Sequence, residues 1–302
     1  MKEKKSTRQG YGQALLELGR NKKVVALSAD LTGSTCADKF ADKYPERFFQ
    51  AGVAEQNMVS MAVGLALEGK IPFASSFGVF LPTRCLDQIR VSVCYNQTNV
   101  KLVATHCGLC VGEDGATHQA LEDVAILRSI SNITIIEPCG YTQALLATKA
   151  AAKHKGPIYL RLHRAKYDDL SSNKFKIGKA QILQKGNKLT IISSGPVLTE
   201  IMKAVFGLDV EVINSHTIKP LDKKTILKSV KKTKKVIVVQ DHQVIGGLGS
   251  AITELLSENY PVKCKIIGMQ DRFGESGKSM ELWAKYGLNS RNILKEINSL
   301  VK

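Results

Sequence analysis

No apolar run in this 302-residue chain approaches the roughly 20 residues that a bilayer-spanning helix needs. Met1–Arg8 is too charged and too short for a secretion signal, so a cytoplasmic protein that enters no membrane is expected. Cysteine shows no pairing pattern: there are seven, and Cys94, Cys139 and Cys264 lie inside apolar segments. That usage argues against a disulfide framework and suits a reducing compartment. Cys107 and Cys110 form a CxxC beside His106, but no second ligand pair follows, and a structural zinc takes four ligands. Acidic side chains are also scarce, with 27 Asp and Glu against 43 Lys and Arg, for a net charge of +16. Such an excess can serve nucleic acid, an acidic partner or anionic substrates. Basic residues are not interleaved with aromatic ones, however, and the lysines of 223–235 alternate with Ile226, Leu227 and Val230 at helical spacing. That is the wet face of an amphipathic helix, and nucleic acid is not an expected partner.

What the chain does contain is 44% hydrophobic residues, enough for two domains with their own cores. Short apolar runs predict strands at Val24–Ser28, Ile71–Ser75, Val100–Thr105, Ile133–Ile136 and Ile158–Leu162. Helical patterns fall between them, at Tyr11–Leu18, Glu55–Leu67, Leu81–Tyr95, Gln119–Ser129 and Gly140–Lys153. After the polar, irregular stretch Ala165–Asn187 a second series predicts strands at Leu189–Ser193, Val210–Ile213, Val236–Val239 and Val262–Ile267. Helices are expected near Pro196–Phe206, Asp222–Val230 and Gly247–Leu256, with Asp222 as an N-cap. Strand alternating with helix implies parallel sheets covered on both faces: an α/β chain of two doubly wound domains. The expected limits are 1–170 for the first, 171–187 for a linker and 188–302 for the second.

Ligands of such sheets bind at the carboxyl ends of strands. Four polar segments fall there in the first domain: Ala29–Ser34, Ala51–Glu55, Ser76–Phe80 and His106–His118. Glu55 opens a helix, where a carboxylate is favourably placed against the helix dipole. The loop from His106 to His118 carries three glycines, two histidines and Asp114. Two histidines and a carboxylate on a strand-end loop can orient hydroxyls and shuttle protons near neutral pH. In the second domain only Asp241-His242-Gln243 with Gly246-Gly247-Leu248-Gly249 compares.

The runs GVAEQNM, SSFGVFLPTRCLDQIR, THCGLCVGEDGATHQALED and RLHR, in this order, closely resemble the transketolase family. TIKPLD, DHQVIGGLG and RFGESGK continue the likeness into the second half. The resemblance implies a pyrimidine-binding domain of the thiamine diphosphate type followed by a transketolase C-terminal domain of mixed α/β build. The family anchors the diphosphate through Mg²⁺ with a Gly-Asp-Gly motif and a later Asn. This chain has no Gly-Asp-Gly; Glu113-Asp114-Gly115 is the nearest match. The resemblance is therefore to the C-terminal, β-type subunit of a split transketolase, with the diphosphate and Mg²⁺ held mainly by an N-terminal companion subunit.

By the same resemblance Glu55 would hydrogen-bond N1′ of the thiamine aminopyrimidine and favour its imino tautomer. Phe80 matches the aromatic that stacks on that ring, and Phe77 the one lining the pocket. Arg8, Ser34 and Arg164 match groups that hold a sugar phosphate, with His106 beside them. Asp114 matches the residue that reads the substrate's C2 hydroxyl, and His118 one that assists proton transfer at the carbonyl. Arg161, His216 and His242 read as structural, and Asp30 as a contact to a partner chain or a neighbouring loop. A one-residue insertion near Leu81-Pro82-Thr83 leaves Arg84 without an assigned role. The implied activity is transfer of a two-carbon ketol unit between sugar phosphates, in a heterotetramer, with self-association of this chain through apolar surface on its first domain. A deoxyxylulose-phosphate synthase, the β chain of a 2-oxoacid dehydrogenase's first component, or a non-catalytic scaffold of the same fold are the rival readings.

Overall fold

Twelve strands emerge, in a computed structural model that describes residues 3–170 and 174–301. They are β1 (Val24–Ser28), β2 (Phe48–Gln50), β3 (Ile71–Phe77), β4 (Lys101–Thr105), β5 (Thr134–Ile136), β6 (Ile158–Arg161), β7 (Gln181–Gln184), β8 (Leu189–Ser193), β9 (Val210–Asn214), β10 (Thr217–Lys219), β11 (Val236–Gln243) and β12 (Cys264–Met269). The first sheet has the order β10-β5-β6-β4-β3-β1-β2, and the second β12-β11-β8-β9-β7. β1, β4, β6, β8 and β9 are buried at every position, because helices cover both faces; that is why they read as continuous apolar runs.

Every pairing in the first sheet is parallel except β10 with β5. β10 lies beyond the stretch expected to divide the domains, yet it closes the edge of the first sheet. The division by sequence is thus crossed by one strand. The stretch 171–187 differs from the linker expected of it: β7 lies inside it and pairs antiparallel with β9. Ser171, Ser172 and Asn173, at its start, are outside the described residues.

Helices Thr7–Leu18 and Tyr141–Lys153 cover one face of the first sheet. They approach closely at Gly10, where a Cβ would lie 2.3 Å from the Tyr141 carbonyl oxygen. The other face packs against helix Glu55–Leu67 and runs without a break into Ile192, Ile213, Val236 and Val238 of the second domain. The helix expected over 81–95 is broken into turns at Leu81–Arg84 and Leu86–Gln88 and a π-helix at Ile89–Tyr95. Pro82 in the first of these turns and the wider π turn divide what periodicity alone reads as one element. Asp222 does cap its helix, accepting from Thr225 N at 3.2 Å. No helix among the described residues is long and apolar enough to cross a membrane.

Candidate active site

Five neighbouring strands deliver the chemically rich residues to one edge. β1 leads to Ser34, β2 to Glu55, β3 to Phe77 and Phe80, β4 to His106 and β6 to Arg164. The chain runs from β1 outward to β2, then returns past β1 to β3, so the strand order reverses between β1 and β3. A crevice at such a reversal is where open α/β sheets bind ligands.

Glu55 is the first residue of its helix and only 4% exposed. It accepts from Arg84 Nη1 at 2.8 Å, an ion pair whose arginine side is half-exposed. The same guanidinium lies 3.9 Å from the centre of the Phe80 ring. Phe80 stacks with Phe77, centroids 5.7 Å apart and planes 20° apart. His118 meets the Phe80 ring edge-on at 5.5 Å. Phe77 in turn lies 3.9 Å from the His106 ring, centroid to centroid.

His106 is held on both nitrogens. Its Nε2 is 3.4 Å from Arg8 Nη1 and its Nδ1 is 2.9 Å from Thr105 Oγ1. Arginine has no acceptor, so Nε2 must receive and Nδ1 carries the hydrogen. Burial, followed by Arg8, Arg164 and His118, pulls the His106 pKa down to about 3. The imidazole is therefore neutral near pH 7 and its titration is moved out of the range expected for proton shuttling.

Arg8 is the second residue of the helix Thr7–Leu18, which Ser6 caps with a complete capping box. Its Nη1 donates to the Ser34 carbonyl at 2.6 Å, so Ser34 is joined through its backbone. The Arg8 Nε is buried and has no hydrogen-bond partner among the described residues. Arg164 donates to Val111 O at 2.8 Å and to Asp114 Oδ2 at 3.1 Å, the Arg164 and Asp114 side chains being half-exposed. Glu55, Phe80, Phe77, His118, His106, Arg8 and Ser34 thus form one connected line. Arg164 and Asp114 form a pair beside it, close enough for Arg164 to act electrostatically on His106 and Arg8.

The loop that carries His106 and Asp114 is gripped by the second domain. Asp241 Oδ1 accepts from Leu109 N at 2.9 Å and Asp241 Oδ2 from Trp283 Nε1 at 3.0 Å. Gly108 must be glycine here: its φ is +77° and a Cβ would lie 2.2 Å from Asp241 Oδ2. Gln119 Nε2 reaches Leu109 O at 3.3 Å and Glu275 O at 3.0 Å. Sequence had singled out Asp241; Trp283 carried no signal.

Arg161 is buried and structural. It donates to Asp123 Oδ2 at 2.8 Å, to Glu137 Oε1, to Ala120 O at 2.9 Å and to Asp241 O at 3.1 Å. Glu137, bonded also by His163 and Ser194, is held well below the usual carboxylate range despite its burial, chiefly by Arg161. His216 packs on Phe175 at 4.4 Å, and His242 Nδ1 donates to Gln243 O at 2.8 Å. Asp30 is exposed, and its N–H donates to Gln50 Oε1 at 2.7 Å. The CxxC gathers no metal set: no group of three or more His, Cys, Asp or Glu among the described residues could hold an ion.

A thiamine ring needs a flat aromatic floor, a buried carboxylate and an opening between them. The Arg84 guanidinium, itself flat and nitrogen-bearing, already sits against Phe80 and Glu55, so these residues fit such a group.

The family profile "Transketolase, pyrimidine binding domain" matches residues 3–169, and "Transketolase, C-terminal domain" matches 178–293. A Methanocaldococcus jannaschii protein provisionally described as a transketolase C-terminal section is 45% identical, covering 99% of this chain and 97% of that protein. The 6-deoxy-6-sulfo-D-fructose transketolase subunit SqwH from Clostridium sp. (strain MSTE9) is 38% identical over 98% of this chain and 94% of its own length. A solved structure of a split-gene transketolase, an inactive β4 tetramer, superposes with a TM-score of 0.91 at 40% identity, covering 98% of both chains. The chain therefore belongs to the transketolase family, of which it spans the pyrimidine-binding and C-terminal domains.

Proposed function

We propose that this chain is the β-type subunit of a two-chain, thiamine-diphosphate-dependent transketolase. It moves a two-carbon ketol unit between sugar phosphates, and it works only with a companion subunit that binds the diphosphate and Mg²⁺. The observation that carries the reading is the unbroken line from the Glu55 carboxylate across Phe80 and Phe77 to His106 and Arg8. An apolar floor with an acid at one end leads to a guanidinium at the other. That polarity suits a cofactor ring at the first end and a phosphate at the second.

When bound, thiamine diphosphate supplies a stabilised carbanion. Glu55 holds a proton at the pyrimidine N1′, and burial keeps water from competing for it. Phe80 and Phe77 support the ring, contributing roughly 1 kcal/mol beyond burial. Arg8, with a buried Nε that has no hydrogen-bond partner among the described residues, donates to phosphate oxygens together with Arg164 and Ser34. His106, neutral and donating to Thr105, steadies the Arg8 guanidinium through Nε2 beside the substrate. Asp114 reads the adjacent hydroxyl from its seat on Arg164, and His118 assists at the carbonyl.

Half of the site's wall lies on the companion chain, and the split-gene relative, a tetramer of β chains, is described as inactive. The absence of Gly-Asp-Gly in the sequence supports this division. The test is to reconstitute the chain with its companion and assay xylulose 5-phosphate plus ribose 5-phosphate against pyruvate plus glyceraldehyde 3-phosphate. Turnover of the first pair alone is expected. Product from pyruvate alone would replace this reading with a synthase.

A further inference from the structure

Arg84 stands where the cofactor's ring is needed. Its guanidinium lies 3.9 Å over Phe80 and its Nη1 donates to Glu55 Oε1 at 2.8 Å. The proposed function asks an aminopyrimidine to make these same two contacts, a stack on Phe80 and a hydrogen bond to Glu55. Phe77 already stacks with Phe80 and His118 takes its edge, so little of the ring remains for both newcomers at once.

The placement follows from local structure. Arg84 ends the turn Leu81–Arg84, which begins at Leu81-Pro82. Gln56, next to Glu55 on its helix, donates Nε2 to the Arg84 carbonyl at 2.8 Å and ties the two elements together. The backbone is thus fixed, while the side chain is 45% exposed and can turn out to solvent without opening the core.

We propose that Arg84 is a placeholder: its guanidinium holds Glu55 and Phe80 in their binding geometry in the unloaded chain, and the aminopyrimidine displaces it. The inference rests on the thiamine reading of the site and adds a residue to which no role had been given. Two consequences follow from linkage. Glu55 is never a buried carboxylate without a partner, loaded or unloaded. Cofactor affinity is lowered by the fraction of molecules with Arg84 in place.

The test is isothermal titration with thiamine diphosphate and Mg²⁺ of the chain assembled with its diphosphate-binding companion. An ion pair that is half-exposed on its arginine side and a cation–π contact together set the expected effect: Arg84→Ala should bind roughly tenfold more tightly than wild type. Arg84→Lys, which keeps charge but loses the planar stack, should fall between. In parallel, the Arg84 side-chain Nε–H resonance, assigned from its loss in Arg84→Ala, should shift on cofactor addition as the guanidinium leaves the Phe80 ring. Equal or weaker binding by Arg84→Ala, with wild type binding normally, would overturn the placeholder and leave the thiamine site standing. No heat from wild type or either variant would remove the thiamine reading and the placeholder together.

Discussion

His106 shows how burial changes a role read from residue type. Sequence marked it as a proton shuttle, because an unperturbed imidazole titrates near neutrality. In the fold it is walled by Phe77 and faces Arg8, and its pKa falls to about 3. Burial likewise takes His216 down to about 4. Both titrate lower in the folded chain than in the unfolded one, so the unfolded state takes up protons first on acidification. Their stabilisation is whole above the ordinary value of 6.5 and is lost as pH falls towards 3 for His106 and 4 for His216. Each contributes up to about 1.4 kcal/mol per pH unit in that window. The C2-proton resonance of His106 should therefore stay flat between pH 5 and 9. A titration midpoint near 6.5 would contradict the buried, arginine-facing placement. Arg84 was the least legible residue: its contact with Glu55 spans 29 positions and depends on how the 81–95 segment breaks, which periodicity does not report.

Strands flanked by helices on both faces were legible because burial at every position leaves an apolar run, as in β1 and β4. β2, β7 and β10 were not. Each has three or four residues and sits at or beside a sheet edge, where pairing comes from a partner remote in sequence rather than from its own composition. The polar segments expected at strand ends nevertheless meet at one edge of the first sheet. Ser34, Phe77, Phe80 and His106 follow predicted strands, whereas Glu55 follows the unpredicted β2, and the grip of the second domain on the His106–His118 loop went unread. That grip rests on β6 as well as on Asp241. Arg161, the last residue of β6, joins Asp123, Glu137 and the Asp241 carbonyl. Replacing it with methionine leaves buried carboxylates without a counter-charge, which costs about 3–5 kcal/mol. Urea unfolding of Arg161→Met should show a midpoint lowered accordingly; an unchanged midpoint would mean the cluster contributes nothing to stability.

Across the whole chain the two domains are interlocked rather than strung together. β10 crosses into the first sheet, one core runs through both, and Asp241 with Trp283 holds the His106–His118 loop from the second domain. The second domain thereby sets the geometry of a candidate site whose proposed groups lie in the first. What this chain offers is one wall, acid at one end and cationic at the other, and the proposed activity needs the diphosphate-bearing wall of a companion. The most direct measurement is ketol transfer from xylulose 5-phosphate to ribose 5-phosphate by the assembled pair carrying Glu55→Gln, with cofactor binding followed alongside. Turnover should fall by at least about a hundredfold while thiamine diphosphate remains bound, since the amide fills the carboxylate's place but cannot hold its proton at N1′. Undiminished turnover in that variant would contradict the account.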